Sequence, residues 1–163
     1  EEAGLIYRRV SEGDHRRKYV SLRWDRLPLP IYPAPPDGRV AFVCTHNSAR
    51  SQFAAALWRQ ASGTESQSAG TQPASRVHPT AVRVAAEFGV DIAGATTSGY
   101  DSLPADTDVI ISVCDRANEA GVPSTGERLH WSVPDPVPVG TLDAFRSAFG
   151  EIAERVTRMT GAS

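Results

Sequence analysis

The sequence predicts an α/β fold in which a parallel sheet lies between layers of helices. Two short apolar runs, Val40–Val43 and Val109–Val113, have the composition of strands that are buried on both faces. Segments with apolar residues at helical spacing alternate with these strands, which is typical of a parallel sheet connected by helices. A chain of 163 residues can bury one such domain and carry a short appendage. We therefore expect a three-layer α/β/α domain.

The amino-terminal part of the chain differs in character from the rest. Two alternating runs, Gly4–Val10 and His15–Leu22, flank a turn at Gly13 and Asp14, which predicts a β-hairpin over residues 1–26. The prolines of the following segment disfavour a helix and predict an extended linker over residues 27–38. Residues 39–163 then form the main domain.

The remaining elements of the main domain are separated by turn residues. Each helix shows apolar residues at a period near 3.6, and Gly89 follows the second helix as a stop signal. In chain order we expect a helix over Gln52–Gln60, a strand within Thr64–Gly70, a helix over Pro79–Phe88, a strand within Asp106–Cys114, a strand around Leu129–Ser132 and a final amphipathic helix over Leu142–Met159.

Composition excludes several classes of protein. The net charge of −2 and the isoelectric point near 6.1 exclude a globally basic nucleic-acid binder. No apolar run approaches the ~18 residues of a membrane span and no signal peptide is seen, so we expect a cytoplasmic enzyme without membrane contact. Two cysteines without zinc-ligand spacing predict neither a disulfide framework, nor a metal, nor a bound cofactor. Because the chain opens at Glu1 instead of methionine, we expect a fragment of a longer parent.

The stretch from Cys44 to Ser51 carries the predicted chemistry. Cys44 ends the first buried strand, and Arg50 follows six residues later at the start of a helix. The free N–H groups of such a loop, together with the helix dipole, form an anion cradle to which Arg50 adds a bidentate fork. The same positive field favours the thiolate of Cys44. The loop therefore combines a nucleophile with an oxyanion site, whose expected substrate-binding residues are Thr45, His46, Asn47, Ser48, Ala49, Arg50 and Ser51.

The Cys44-x5-Arg50-Ser51 pattern after a strand resembles the low-molecular-weight protein tyrosine phosphatases. The longer string from Val43 to Gln52 is more similar to their relatives, the thiol-dependent arsenate reductases. This resemblance covers residues 39–160 and implies a four-stranded parallel sheet of the phosphotyrosine protein phosphatase I type. It also implies an arsenate- or phosphate-type oxyanion as substrate.

The hairpin carries a second resemblance, to the wing of an arsenic-sensing winged-helix repressor. Its basic side chains would then contact DNA phosphates in a longer parent protein. The alternative is a solvated hairpin with charged edges. The helices that would read the major groove are missing, so DNA is expected as a partner only through an absent amino-terminal part. The basic residues concerned are Arg8, Arg9, Arg16, Arg17 and Lys18.

The family resemblance also implies roles for residues beyond the loop. Asp135 lies between two prolines, in a string that resembles the family's general-acid loop. In the implied mechanism the Cys44 thiolate attacks the arsenic or phosphorus, and Asp135 protonates the departing oxygen. Asn47 would hold the loop through its side chain, and Ser51 would donate a hydrogen bond to the Cys44 sulfur.

The second cysteine raises the question of the reductant. Cys114 ends a strand as Cys44 does, but Gly121 stands where the thioredoxin-coupled reductases carry a further cysteine. Three alternatives follow from this departure. In the first, Cys114 attacks the arsenic adduct of Cys44 and thioredoxin reduces the resulting Cys44–Cys114 disulfide. In the second, a small thiol such as mycothiol or glutathione attacks the adduct directly. In the third, Cys114 is structural.

The leading hypothesis is an arsenate reductase. The second hypothesis is a low-molecular-weight phosphatase. Two departures from the pattern of the resembled phosphatases disfavour it, Val137 after the Asp-Pro pair and Ala49 within the loop. Both suit a small inorganic anion better than phosphotyrosine. The third is an oxyanion or arsenical sensor attached to a DNA-binding module, in which Cys44 and Cys114 act as ligands.

Overall fold

A computed structural model describes residues 4–23, 26–27, 36, 38–121 and 126–161. Two sheets are formed. Strands β1 (Ile6–Val10) and β2 (Lys18–Leu22) pair as an antiparallel hairpin. Strands β3 (Val40–Cys44), β4 (Ser66–Gly70), β5 (Val109–Ser112) and β6 (Glu127–His130) form a parallel sheet in the order β4-β3-β5-β6. The predicted α/β class, the four-stranded parallel sheet and the hairpin are confirmed.

The register of the sheet gathers its carboxyl ends at one edge. Cys44 pairs with Gly70, while Val43 pairs with Ser112 and Ser112 with His130. Ligands of open parallel sheets bind at this edge, because the connecting loops and helix amino termini meet there. The loops that follow β3, β5 and β6 therefore lie close to one another.

In the part of the chain that the structure describes, α-helices connect or follow the strands: α1 (Arg50–Ser62), α2 (Pro79–Glu87), α3 (Asp115–Ala120) and α4 (Leu142–Thr160). Thr141 caps α4 by accepting a hydrogen bond from the Ala144 N–H. Among the described residues, none of the helices combines the length and apolar character needed to cross a membrane. Helix α3 was not predicted, because six residues are too few to show a helical period.

The two faces of the sheet are covered differently. On one face Phe42 and Ile111 belong to a large apolar cluster that includes Phe53, Phe145 and Ile152 from helices α1 and α4. Full burial of each such side chain contributes about 1.5–3 kcal/mol. The opposite face has a smaller cluster of strand residues, packed against the partly buried Tyr100 and Leu103.

Some predicted boundaries shift by a few residues. Helix α1 begins at Arg50, so the arginine belongs to its first turn. Strand β6 ends at His130 and not near Ser132, because the chain continues as a loop in which Trp131 and Val133 are buried in the core. The predicted proline-rich linker lies mostly outside the described residues.

Candidate active site

The loop between β3 and α1 is fixed by the segment that follows β4. The carbonyl oxygens of Thr45, His46 and Ser48 accept hydrogen bonds of 2.8, 2.9 and 2.8 Å from the N–H groups of residues 72, 74 and 78. These bonds hold alternate parts of the loop without involving its side chains. The loop therefore has one defined backbone conformation before any ligand arrives.

Asn47 determines the shape of this loop. It is fully buried, and it is the non-glycine residue with positive φ (51°) among those described. Asparagine tolerates this left-handed conformation better than most residues. Its side chain donates to the Ser51 Oγ at 2.8 Å and accepts from the Ser98 N–H at 2.9 Å and the Gln52 Nε2 at 3.2 Å. The predicted loop-holding function thus has a matching set of contacts.

Two groups contact the Cys44 sulfur, which is almost completely buried. The Asn47 N–H donates to Sγ at 3.2 Å, and the Ser51 Oγ lies 3.1 Å from it. The Ser51 oxygen already accepts from Asn47, so its hydroxyl hydrogen can point to the sulfur. Two hydrogen bonds from the loop and the first turn of α1 therefore hold the sulfur in place.

Gly70 allows the loop to approach the sheet. A Cβ atom at this position would lie 2.7 Å from the Thr45 carbonyl oxygen and 3.0 Å from the Asn47 nitrogen. Both atoms belong to the backbone, so neither can rotate away. Only glycine fits opposite Cys44 at the end of β4.

Arg50 is buried beside Cys44 and contacts several acceptors. Its Nη1 donates to the Val133 carbonyl at 2.8 Å and lies 3.3 Å from Glu12 Oε2, while its Nη2 lies 2.9 Å from Asp135 Oδ2. Burial alone would lower the pKa of Arg50, but neighbouring groups that are negative at high pH raise that pKa above its usual value; they are Cys114, Cys44, Asp135 and Glu12. The guanidinium is therefore a permanent cation in the site.

Asp135 lies where the sequence predicted it, on the loop between two prolines. Its Oδ1 accepts from the Val137 N–H at 3.2 Å, its Oδ2 pairs with Arg50, and its own N–H donates to Glu12 Oε1 at 2.7 Å. The carboxylate is held on both oxygens. It thus lies next to the oxyanion cradle, within reach of a group that is bound to Arg50.

Cys114 caps helix α3 and lies against the same loop. Its Sγ accepts from the Ala117 N–H at 3.4 Å and lies 3.4 Å from the Thr45 Oγ1. Burial raises the pKa of Cys114, Arg50 lowers it and a negative Cys44 raises it again, so that the net value lies above the usual 9.0. Cys114 is therefore a thiol, not a thiolate, at neutral pH. Both cysteines are free and buried.

The structure brings all the predicted site residues to one edge of the sheet, together with residues that the sequence did not indicate. Glu12, in the turn of the hairpin, contacts Arg50 and Asp135. Asp115 accepts from the Glu12 N–H at 2.9 Å and lies 3.1 Å from His130 Nε2. The Glu12 contact escaped prediction because a glutamate in a hairpin turn has the pattern of an ordinary solvated residue.

The hairpin's basic side chains are partly engaged within the chain. Arg9 donates to the Ser132 carbonyl and forms an ion pair with Glu151, and Arg16 and Arg17 both pair with Asp14. The DNA contacts expected for these residues stay a prediction.

Known proteins share the sequence pattern and the fold of the main domain. The sequence profile of the family described as low molecular weight phosphotyrosine protein phosphatase matches residues 39–162. The chain is similar to the glutaredoxin arsenate reductase of Synechocystis sp., with 33% identity over 125 residues that cover 74% of this chain and 95% of the relative.

Solved structures show the same relationship. The arsenate reductase of Archaeoglobus fulgidus superimposes with a TM-score of 0.68 at 32% identity, covering 75% of this chain and 98% of that one. An arsenate reductase solved in a phosphate-binding state superimposes with a TM-score of 0.60 at 32% identity, covering 72% and 92% of the two chains.

Proposed function

Because the chain belongs to the low-molecular-weight phosphotyrosine protein phosphatase family, we propose that it is an arsenate reductase with Cys44 as its nucleophile. The observation that carries this proposal is the pair of donors on the Cys44 sulfur beside a buried Arg50. A thiolate and a fixed cation in one loop are what an attack on a tetrahedral oxyanion requires. The arsenate reductases among the relatives share the fold that builds this loop.

The first step is a displacement at arsenic. Arsenate binds to the loop and to Arg50, and the Cys44 thiolate forms a sulfur–arsenic bond. One oxygen leaves the arsenic with its electron pair and takes up protons to depart as water. Asp135, whose Oδ2 pairs with Arg50 Nη2 at 2.9 Å, is the candidate general acid: when the oxyanion takes over the guanidinium, the carboxylate takes up a proton from solvent and passes it to the leaving oxygen.

The second step transfers two electrons to arsenic. A second thiol, as its thiolate, attacks the Cys44 sulfur, the sulfur–arsenic bond breaks, and its electron pair stays on arsenic. Arsenite leaves and a disulfide remains, so one As(V) is reduced while two thiols are oxidised. We assign this second thiol to Cys114, whose sulfur already contacts the loop at Thr45.

The chain needs an external thiol to complete the cycle. Cys44 and Cys114 are its only cysteines, and Gly121, where the resembled reductases carry a further cysteine, has a φ of 76° that favours glycine. A Cys44–Cys114 disulfide must therefore be reopened by an external reductant. The candidate reductants are thioredoxin, mycothiol and glutathione. A glutaredoxin-linked system is a further candidate, by analogy with the glutaredoxin arsenate reductase.

The test is arsenite production from arsenate with each reductant system supplied separately, for wild type, Cys44→Ser and Cys114→Ser. The proposal requires turnover that Cys44→Ser abolishes. Full turnover of Cys114→Ser with a small thiol would assign the second step to that external thiol. Cys44-dependent hydrolysis of an aryl phosphate without any arsenite would refute the reductase and favour a phosphatase. Anion binding without turnover would favour a sensor.

A further inference from the structure

A carboxylate from outside the matched family region contacts the cation of the candidate anion site. Glu12 belongs to the hairpin, whereas the family profile begins at residue 39. Its Oε2 lies 3.3 Å from Arg50 Nη1, and its Oε1 accepts from the Asp135 N–H at 2.7 Å. The side chain thus bridges the cradle's cation and the general-acid loop with its two oxygens, as an oxyanion substrate would.

The turn that carries Glu12 is anchored next to the site. Its N–H donates to Asp115 Oδ2 at 2.9 Å, and its carbonyl accepts from Arg116 Nε at 3.2 Å. The flanking Ser11 Oγ and Asp14 N–H both donate to Glu119 at 2.7 Å. These contacts with α3 fix the turn on both sides of Glu12, so its approach to Arg50 is built into the fold and is not a chance surface contact.

The charge count at Arg50 shows what this contact does to a ligand. One guanidinium faces the carboxylates of Glu12 and Asp135 in addition to the Cys44 sulfur. An arriving oxyanion must share or take over the fork that Glu12 partly uses, and it is repelled by the same carboxylate. Removing the negative charge of Glu12 should therefore end both the competition for Arg50 and the repulsion of the oxyanion.

We propose that Glu12 competes with the substrate oxyanion for Arg50, so that oxyanion binding displaces the hairpin turn from the site. This inference rests on the proposed function only in using the same oxyanion loop. Competition is reciprocal: whatever the docked turn subtracts from oxyanion affinity, a bound oxyanion subtracts from the docking of the turn. The hairpin is thereby coupled to the occupancy of the active site.

The first experiment measures the binding of inorganic phosphate by titration calorimetry to the full chain, in wild type and in Glu12→Gln. The amide keeps the size of the side chain and an oxygen to accept from Asp135, but it loses the charge. We expect phosphate to bind about tenfold more tightly to Glu12→Gln. A purely structural role for Glu12, in holding the Asp135 loop, predicts weaker binding, so the sign of the change separates the two roles.

The matched control is Glu65→Gln. Glu65 is exposed and precedes the first residue of β4, at the opposite end of the strand from Gly70, and its loss changes the net charge by the same amount. Its phosphate affinity should equal that of the wild type. Equal affinities for Glu12→Gln and wild type, including undetectable binding by both, would overturn the proposal.

A second experiment follows the hairpin turn directly by amide hydrogen exchange. Saturating phosphate should accelerate exchange of the Asp14 N–H in the wild type, because the turn that bonds it to Glu119 is released. Unchanged or slower exchange at Asp14 would contradict displacement. Neither experiment involves turnover, so both can be interpreted even if the protein produces no arsenite.

Discussion

Replacement of Asn47 by alanine should destabilise the protein and weaken its oxyanion site together. Its side-chain Oδ1 accepts a hydrogen bond from the Ser98 N–H at 2.9 Å, and its Nδ2 donates to the Ser51 Oγ at 2.8 Å. Ser98 is half-buried, so its unpaired N–H costs about 1 kcal/mol, and the loss of the Ser51 bond costs about 1 kcal/mol more. The left-handed backbone at φ 51° adds roughly 1 kcal/mol for alanine.

These three contributions sum to about 3 kcal/mol. Gln52 keeps its bonds to the carbonyls of Asn47 and Thr96, so its side chain adds no further loss. A protein of this size loses about 2–4 °C in Tm per kcal/mol, so we expect a fall of roughly 6–12 °C in a thermal melt followed by circular dichroism. Phosphate affinity should fall as well, because Ser51 no longer directs its hydroxyl to Cys44.

Asn47→Gly separates the two causes. Glycine accepts the positive φ without strain but makes none of the side-chain hydrogen bonds. We expect it to remain destabilised by about 2 kcal/mol. A glycine variant that melts with the wild type would show that backbone strain, and not hydrogen bonding, explains the alanine result. If the free energy of unfolding of Asn47→Ala lay within about 0.5 kcal/mol of the wild-type value, both the hydrogen-bond and the backbone-strain explanations would be refuted.

Three further predictions follow from the same geometry. Gly70→Ala should lower the free energy of unfolding by about 1–3 kcal/mol in denaturant titrations and reduce phosphate binding, because its Cβ would lie 2.7 Å from the Thr45 carbonyl oxygen. The control Gly150→Ala lies in α4 with open space around it and should not destabilise the protein. Equal effects of the two substitutions would contradict this reasoning. Burial acts to raise the pKa of Asp115, but hydrogen bonds from His130 and the Glu12 N–H bring that pKa below 3.8. The ionised Asp115 therefore stabilises the folded protein above pH 3.8, and this stabilisation is lost as the pH falls through the lowered pKa. The stability gap between wild type and Asp115→Asn should then shrink below about pH 3.8 in urea titrations, and a gap independent of pH would count against it. Because burial raises the pKa of Cys114 above 9.0, the rate of disulfide formation after arsenate addition should rise with pH beyond that value, and a plateau near neutral pH would exclude Cys114 as the attacking thiol.

The sheet and the central site were predictable because they follow from local patterns. Cys44 ends one apolar strand and Cys114 follows another by two residues, and parallel strands place their carboxyl ends at one edge. The loop and helix after Cys44 then fix where Arg50 lies. Asp135 could be added because two prolines confine its backbone, and the family resemblance supplied its role.

The remaining contacts could not be predicted because they join distant segments through residues without a distinctive pattern. Glu12 reaches Arg50 across a sequence separation of 38 residues, from a turn that by itself indicates only a hairpin. Asn47 is satisfied by a backbone N–H at Ser98, which any residue could supply. The need for glycine at position 70 becomes visible only when the loop is seen lying against β4.

The central claim is that Cys44 reduces arsenate with Cys114 as its partner. A single-turnover experiment tests it most directly: fully reduced protein is mixed with excess arsenate under anaerobic conditions without external thiol, and arsenite, free thiols and cross-linked peptides are measured. We predict close to one arsenite per chain, the loss of both thiols and a peptide pair joined through Cys44 and Cys114, with none of these products in Cys44→Ser. The absence of arsenite, or its release without the disulfide, would contradict the account.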